Sequence, residues 1–276
     1  MTPGVLYVVA TPIGNLSDTS PRAVETLKAV AFIACEDTRT TRTLLARHGI
    51  TTPTVALHEH NERRGAVGVL DALRDGRNVA LVSDAGTPAL SDPGAWLIAE
   101  AHRAGFRVSP VPGPSAAAAA ISVAGFAAPQ FFFAGFLPAA GAARRKALQA
   151  LELPVPVVLY EAPHRIAETL TDLAGQFGAQ REIVLGRELT KKFEEVARIP
   201  LGEAAAWLEA RKERAQGEFV LVLAPGAERS RALADPDQVL ALLMESESLA
   251  PSEAARLAAK ITGVPKNELY RKALKS

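Results

Sequence analysis

The 276-residue chain carries 31 Lys and Arg against 30 Asp and Glu, a formal net charge of +1, with 48% hydrophobic residues. This balance excludes a polyanion binder driven by a global field, so any basic surface must be local. A single cysteine, Cys35, excludes an intrachain disulfide and a cysteine-built zinc centre. The length allows two domains or one large domain with an appendage. No apolar run is long enough for a bilayer span, and the first residues lack a basic stretch followed by a secretory apolar core, so a cytoplasmic protein is expected.

Val5 to Ala10 reads as a buried strand, a continuous apolar run of the parallel-sheet kind. It ends in the tight loop Thr11 to Leu16, after which Ser20 caps a helix starting at Pro21. The loop lacks GxGxxG, so the dinucleotide fingerprint is absent. Ala31 to Cys35 is a second strand, followed by Glu36 to Thr41 and a helix over Arg42 to His48. Asp37 and Thr38 can serve simply as its N-cap or belong to a site. Thr54 to Leu57 is a short strand leading into His58-Glu59-His60-Asn61-Glu62-Arg63-Arg64. That spacing is not HExxH, and a polar substrate-facing loop is expected there rather than a metal site. Val79 to Val82 is a further buried strand, broken by Ser83 to Gly94, with a helix over Ala95 to Ala104. The Asp84 to Gly94 loop combines two carboxylates, two glycines and two prolines at the carboxyl end of a strand, where open α/β sheets bind ligands. Turn chemistry alone is the competing explanation. Phe106 to Val111 is a strand running into Pro112 to Ser115, with Ser115 capping an Ala-rich helix whose free amides suit a polar ligand group. The alternation predicts a parallel sheet with helices on both faces.

Pro129 to Leu137 opens a second unit, with Phe131 to Phe133 expected as a buried strand. Helix Gly141 to Leu151 carries Arg144, Arg145 and Lys146. Strand Val155 to Tyr160 runs into Glu161 to Arg165, then a helix to Phe177. Strand Glu182 to Gly186 continues into Arg187 to Glu195, Arg198 to Pro200 extends the sheet, Glu203 to Arg214 is helical, and Phe219 to Ala224 closes a mixed or antiparallel sheet. Gly226 to Ala234 reads as a linker. Helices over Pro236 to Glu245, Ser252 to Ile261 and Lys266 to Leu274 follow. The last two, joined by a Gly263 turn, resemble a helix-turn-helix with a basic second helix; a packing appendage with a solvated basic face is the alternative. The expected organisation is an N-terminal α/β domain over residues 1–112, a second α/β domain over 113–226, and a linker with a helical tail over 227–276.

Six segments in order carry a resemblance: Tyr7 to Asp18 (YVVATPIGNLSD), Cys35 to Thr41 (CEDTRTT), Val82 to Gly94 (VSDAGTPALSDPG), Val111 to Ala116 (VPGPSA), Tyr160 to Arg165 (YEAPHR) and Gly186 to Glu195 (GRELTKKFEE). With them the chain resembles the tetrapyrrole methylase superfamily of S-adenosylmethionine-dependent methyltransferases, and within it the branch acting on small-subunit ribosomal RNA. The resemblance implies a two-domain tetrapyrrole-methylase-like α/β fold with S-adenosylmethionine in the cleft. It implies 2′-O-methylation of cytidine 1402 in the decoding region of 16S rRNA within the 30S subunit, and a homodimer. Carried over motif by motif, Pro12, Asp84, Thr87, Pro88, Ser115, Ala116 and Tyr160 are the expected cofactor contacts.

A ribose hydroxyl needs a proton acceptor. Glu36, Asp37, Glu161, His164, Glu188 and Lys191 are candidates, and Glu161 and Glu188 are preferred because both end strands of the second domain and should face the cleft. Ion pairs of Glu161 with Arg165, or of Glu188 with Lys191 or Lys192, are the structural alternatives. Arg39, Arg42, Arg63, Arg64, Arg144, Arg145, Lys146, Arg165, Lys191, Lys192, Lys266, Arg271 and Lys272 are candidates for gripping RNA, against the alternative of solvated surface charge. No metal is expected. The rival functions are a tetrapyrrole or diphthamide-precursor methyltransferase on the same scaffold, and a non-catalytic ribosome-assembly factor.

Overall fold

A computed structural model describes residues 2–58, 61–226, 235–245 and 249–274. They fall into two compact units: Met1–Leu151 with Val155–Pro225, and Glu152–Pro154 with Gly226–Ser276.

The first unit holds two sheets. Strands β1 (Val5–Val9), β2 (Phe32–Cys35), β3 (Thr54–Ala56), β4 (Val79–Val82) and β5 (Arg107–Val111) lie in the order β3-β2-β4-β1-β5, every pair parallel. Helices α1 (Pro21–Ala29), α2 (Thr38–Arg47), α3 (Glu62–Arg74) and α4 (Ala95–Arg103) connect them. Because side chains alternate along a strand, each apolar run feeds two cores. Leu6, Ala34, Val79 and Leu81 pack with Val69 and Leu73 of α3 and Leu97 of α4. Val9, Ile33, Cys35, Ala80 and Val82 pack on the other face with Leu27 of α1 and Leu45 of α2. Coverage of both faces explains why these strands read as unbroken apolar runs rather than as alternations. Adjacent β1 and β4 send their crossovers to opposite ends of the sheet. Their carboxyl ends therefore form the topological switch point where such sheets hold ligands.

Helix α5 (Ala116–Ala124) leads to the second sheet: β6 (Phe132–Phe136), β7 (Val157–Glu161), β8 (Glu182–Arg187), β9 (Glu195–Pro200) and β10 (Phe219–Leu223), ordered β6-β7-β10-β8-β9. Only β6 and β7 pair in parallel; the rest is antiparallel, so the sheet is mixed. The small side chains Ala117, Ala120 and Ala124 let α5 press against Val158, Val184, Val220 and Val222. Helices α6 (Gly141–Gln149), α7 (Ile166–Phe177) and α8 (Leu201–Glu209) bury Leu148, Leu170 and Leu208.

Several expectations need correction. Phe131 and Phe132 are 47% and 45% exposed, because β6 is an edge strand with one open side. The helix expected over Glu203 to Arg214 stops at Glu209, and a 3-10 turn over Lys212–Ala215 follows. Helix α2 begins at Thr38, four residues earlier than expected, because Asp37 caps it through the Arg39 amide. The linker expected over Gly226 to Ala234 lies, beyond Gly226, outside the described residues.

The second unit consists of α9 (Pro236–Met244), α10 (Pro251–Thr262) and α11 (Lys266–Ala273) around Val239, Leu240, Ala254, Ala258 and Leu269. Helix α10 starts at Pro251, one residue before the expected Ser252. Gly263 ends it in the left-handed conformation, φ +75°, and makes the turn into α11.

Candidate functional site

Four loops from the parallel sheet are tied into one wall. Thr11 after β1 and Gly86 after β4 exchange backbone hydrogen bonds of 2.8 and 3.0 Å, and Thr11 Oγ1 donates to the Ser83 carbonyl at 3.2 Å. Thr87 Oγ1 donates to the Pro114 carbonyl at 3.2 Å, fixing the loop after β5. Asp84 Oδ1 accepts from the Asp37 amide at 3.0 Å, which brings in the loop after β2. The far end of the Asp84 loop is held by α3: Glu62 Oε1 accepts from the amides of Gly94 (2.9 Å), Trp96 (3.1 Å) and Leu97 (3.4 Å). Helix α4 has no side-chain cap of its own at Gly94, and this carboxylate supplies one. Within the loop Ala89 (φ +66°) and Ser91 (φ +70°) sit in the left-handed region, a cost of about 1–2 kcal/mol each that the anchors at both ends sustain.

Opposite stands the second sheet. Tyr160, at the end of β7, accepts a hydrogen bond from the Ala117 amide at 3.2 Å and meets Phe133 and Phe136 edge-on, with centroids 5.0 and 5.5 Å apart. The bulge at Gly135 of β6 (φ +64°) receives the tip of the Asp84 loop. A Cβ there would lie 2.8 Å from Ser91 Oγ. Between these walls lies a cavity of about 570 Å³, the size of a small-molecule site.

Asp84, Thr87, Ser115, Ala116 and Tyr160, all expected to touch a cofactor, line this cavity together. Pro12 and Pro88 are buried behind the wall instead, where they shape their loops. The wall also contains residues that the sequence reading left in the core or unassigned: Ile13, Leu90, Phe136, Leu189, Glu218 and Phe219. Its polar character is acidic, from Glu36, Asp84 and Asp92 together. Burial pushes Asp92 above the ordinary carboxylate range and the Asp84 charge adds to it, against a lowering hydrogen bond from Ser83. Glu36 is raised by burial and by the charges of Asp84 and Asp92. Tyr160 is raised chiefly by burial.

The two expected proton acceptors are placed differently. Glu161 reaches the cavity wall, yet its side chain is 0% exposed and its oxygens are occupied. Oε1 accepts from the Ala162 amide (2.8 Å) and forms an off-axis ion pair with Arg165 Nε (3.1 Å); Oε2 accepts from Thr169 (2.6 Å). Glu188 is not on the wall. Its Oε1 accepts from Lys191 Nζ and the Glu218 amide, both at 2.9 Å. Burial raises it, but those two partners outweigh burial and hold the carboxyl below its usual range. His164 is exposed at the cavity edge. Asp37, N-cap of α2, is held down to about 2 by the Arg39 guanidinium.

The candidate cations divide as sharply. Arg144 is a core residue, its side chain 3% exposed and paired with Asp172 (2.7 Å) and Glu168 (3.1 Å). Arg165 is turned inward, pairing with Glu161 and donating to the Leu137 carbonyl at 2.6 Å. Lys191 is tied to Glu188 and Glu218, each at 2.9 Å. Arg39, Arg42, Arg63, Arg64, Arg145, Lys146, Lys192, Lys266, Arg271 and Lys272 are exposed on separate elements. In the His58 segment, residues 59–60 lie outside the described residues. Asn61 caps the turn through the His58 amide (2.8 Å), and Glu62 caps α4, so both serve the fold rather than facing a substrate. Among the described residues no cluster of three His, Cys, Asp or Glu side chains is placed to hold a metal, and no helix is long and apolar enough to cross a membrane.

A parallel sheet with an acidic cavity at its switch point, closed by a mixed second sheet, defines a two-sheet α/β protein with a small-molecule-sized site. The sequence matches the tetrapyrrole (corrin/porphyrin) methylases over residues 5–205 and the RsmI C-terminal helix-turn-helix domain over residues 231–276. Ribosomal RNA small subunit methyltransferase I of Pseudomonas aeruginosa is 48% identical over 279 residues, covering 99% of this chain and 98% of that one. The proteins of that name from Xylella fastidiosa (50% over 271 residues, 98% of each chain) and Escherichia coli O157:H7 (46% over 273 residues, 98% and 95%) are similar throughout. Among solved structures, diphthine synthase (TM-score 0.60, 15% identity, 80% of this chain and 89% of that) shares the fold. So does a cobalt precorrin-4 methyltransferase (0.59, 15%, 80% and 94%). The chain belongs to the tetrapyrrole methylase family, in the branch of ribosomal RNA small subunit methyltransferase I.

Proposed function

We propose that this protein transfers a methyl group from S-adenosylmethionine to the ribose 2′-oxygen of a cytidine in 16S rRNA, acting on the small ribosomal subunit, in the cytoplasm and as a homodimer. The observation that carries the reading is identity of 42–50% along nearly the whole chain with small-subunit rRNA methyltransferases, helical tail included. Membership of a methyltransferase family weighs against a non-catalytic assembly factor. The tetrapyrrole and diphthine enzymes agree in fold alone.

The donor set of the cavity fits the cofactor. Asp84, Asp92 and Glu36 offer negative charge to a sulfonium and an ammonium group, the capped start of α5 at Ser115 and Ala116 suits a carboxylate, and Ile13, Leu90, Phe136 and Leu189 suit an aromatic base. When bound, S-adenosylmethionine supplies an electrophilic methyl group. The chain's own part is to exclude water, hold the acceptor hydroxyl and take its proton. Asp92 is better placed as acceptor than Glu161 or Glu188. It lies on the wall, and burial raises its basicity, whereas Glu161 is saturated by hydrogen bonds and Glu188 is off the wall and held low.

The test is methyl incorporation from labelled cofactor into 30S subunits purified from cells lacking the modification, with mass mapping of the product. One 2′-O-methylated cytidine per subunit is expected. Transfer to a tetrapyrrole with none to rRNA would overturn the reading.

A further inference from the structure

Beside the cavity runs a second depression, an open groove lined by Gly14, Asn15, Leu16 and Ser17 on one side and by Thr190, Lys191 and Lys192 on the other, with Arg47 of α2 at its edge. It is continuous with the cavity along the chain itself. Ile13 lines the cavity and Gly14 the groove; Leu189 lines the cavity and Thr190 the groove. Lys191 bridges the two sides. Its stem lies so close to Gly14 that a Cβ there would sit 2.3 Å from Lys191 Cγ, and its ammonium reaches Glu218 on the cavity wall.

Three features in and next to this groove have no use in the fold. Thr190 Oγ1 is buried and has no hydrogen-bond partner among the described residues, although the residue stands in a left-handed conformation (φ +66°) that costs energy. The Glu194 carboxylate accepts from the Thr190 amide, so the backbone is satisfied while the hydroxyl is not. Arg47 and Lys192 are exposed, and neither is paired with a carboxylate among the described residues. Phe193 is 65% exposed, with the Lys192 ammonium 5.3 Å from its ring centre. Two exposed cations and an exposed aromatic ring make up the equipment for a single-stranded nucleic acid: donors for phosphates and a platform for a base.

We propose that this groove holds the sugar–phosphate backbone of the RNA substrate, with Arg47 and Lys192 on phosphates and a base stacked on Phe193, so that the strand delivers its acceptor ribose to the cavity. The inference rests on the rRNA reading above and gives it a track.

The experiment measures full-length protein against a short single-stranded RNA of the decoding-region sequence by fluorescence anisotropy over a salt series. Cofactor affinity is measured separately by calorimetry. Combining Arg47→Ala with Lys192→Ala lowers the slope of log K against log salt by about 1.4, at about 0.7 per single-strand phosphate contact. Phe193→Ala weakens RNA binding about 10-fold. Cofactor affinity stays at the parent value throughout. RNA affinities and salt slopes of all variants matching the parent, or equal effects of inorganic phosphate and RNA, would overturn the groove assignment. Absence of methyl transfer to 30S subunits by the parent would instead count against the enzymatic reading, and the binding series decides the groove in either case.

Discussion

Thr11 and Gly86 face each other across the switch point as an isolated antiparallel bridge at the end of an otherwise parallel sheet, each amide donating to the other's carbonyl. The bridge makes one wall out of two loops. It also puts Gly86 at φ +78°, with the space for a Cβ 3.4 Å from Ile13 Cγ2. Gly86→Ala should therefore cost about 1–2 kcal/mol of stability through its backbone conformation, while the added methyl meets Ile13 at an ordinary contact distance. The expected outcome is a lower urea midpoint, with S-adenosylmethionine binding by the folded protein near the parent value in calorimetry.

Arg144 tests the division between buried and surface cations. Its pair with Asp172 is nearly dry, and removing one partner strands the other. Arg144→Ala should destabilise the protein by about 3 kcal/mol, read by denaturant unfolding, while the folded fraction binds RNA as the parent does. Weaker RNA binding at unchanged stability would restore the residue to the surface role that the sequence suggested.

Asp92 links the reaction to pH. A carboxyl whose folded value is raised binds its proton more tightly in the native state, so its charging costs stability as pH rises above the ordinary carboxylate range. Asp92→Asn should accordingly raise the melting temperature at pH 7, with the gain shrinking as pH falls and the native carboxyl takes up its proton. The same variant should lose methyl transfer while keeping the protein folded. The acid limb of the parent's kcat/KM profile should stand above the range of an exposed aspartate.

Glu161→Gln and Glu188→Gln separate support from proton transfer. Glu161→Gln leaves Arg165 without its anion and should lower stability by about 1–3 kcal/mol. Turnover per folded molecule should stay near the parent value for both variants, measured on 30S subunits. A collapse of turnover in either, at unchanged cofactor affinity, would return that glutamate to the role of base.

Much of this arrangement was legible in the sequence because it is local. Continuous apolar runs such as Val79 to Val82 announce a strand covered on both faces. Pro, Gly and Asp after them announce loops that end at the switch point. What was not legible depends on partners far away along the chain. Phe131 and Phe132 look like core until the strand order puts β6 at an edge. Arg144 looks like a surface cation until Glu168 and Asp172, 24 and 28 residues on, come to meet it. Glu188 seems aimed at the cleft until the Glu218 amide and Lys191 claim its carboxylate. Glu62, in a charged stretch read as facing a substrate, caps a helix whose sequence lacks a cap of its own.

That last contact bears on engineering. The cavity-lining segment between β4 and α4 owes its far anchor to a carboxylate encoded more than twenty positions upstream on a different helix. Transplanting the segment into a related scaffold without Glu62 would leave three amides unanswered at the start of the following helix. A chimera of this kind would carry every wall residue of the loop and still bind poorly.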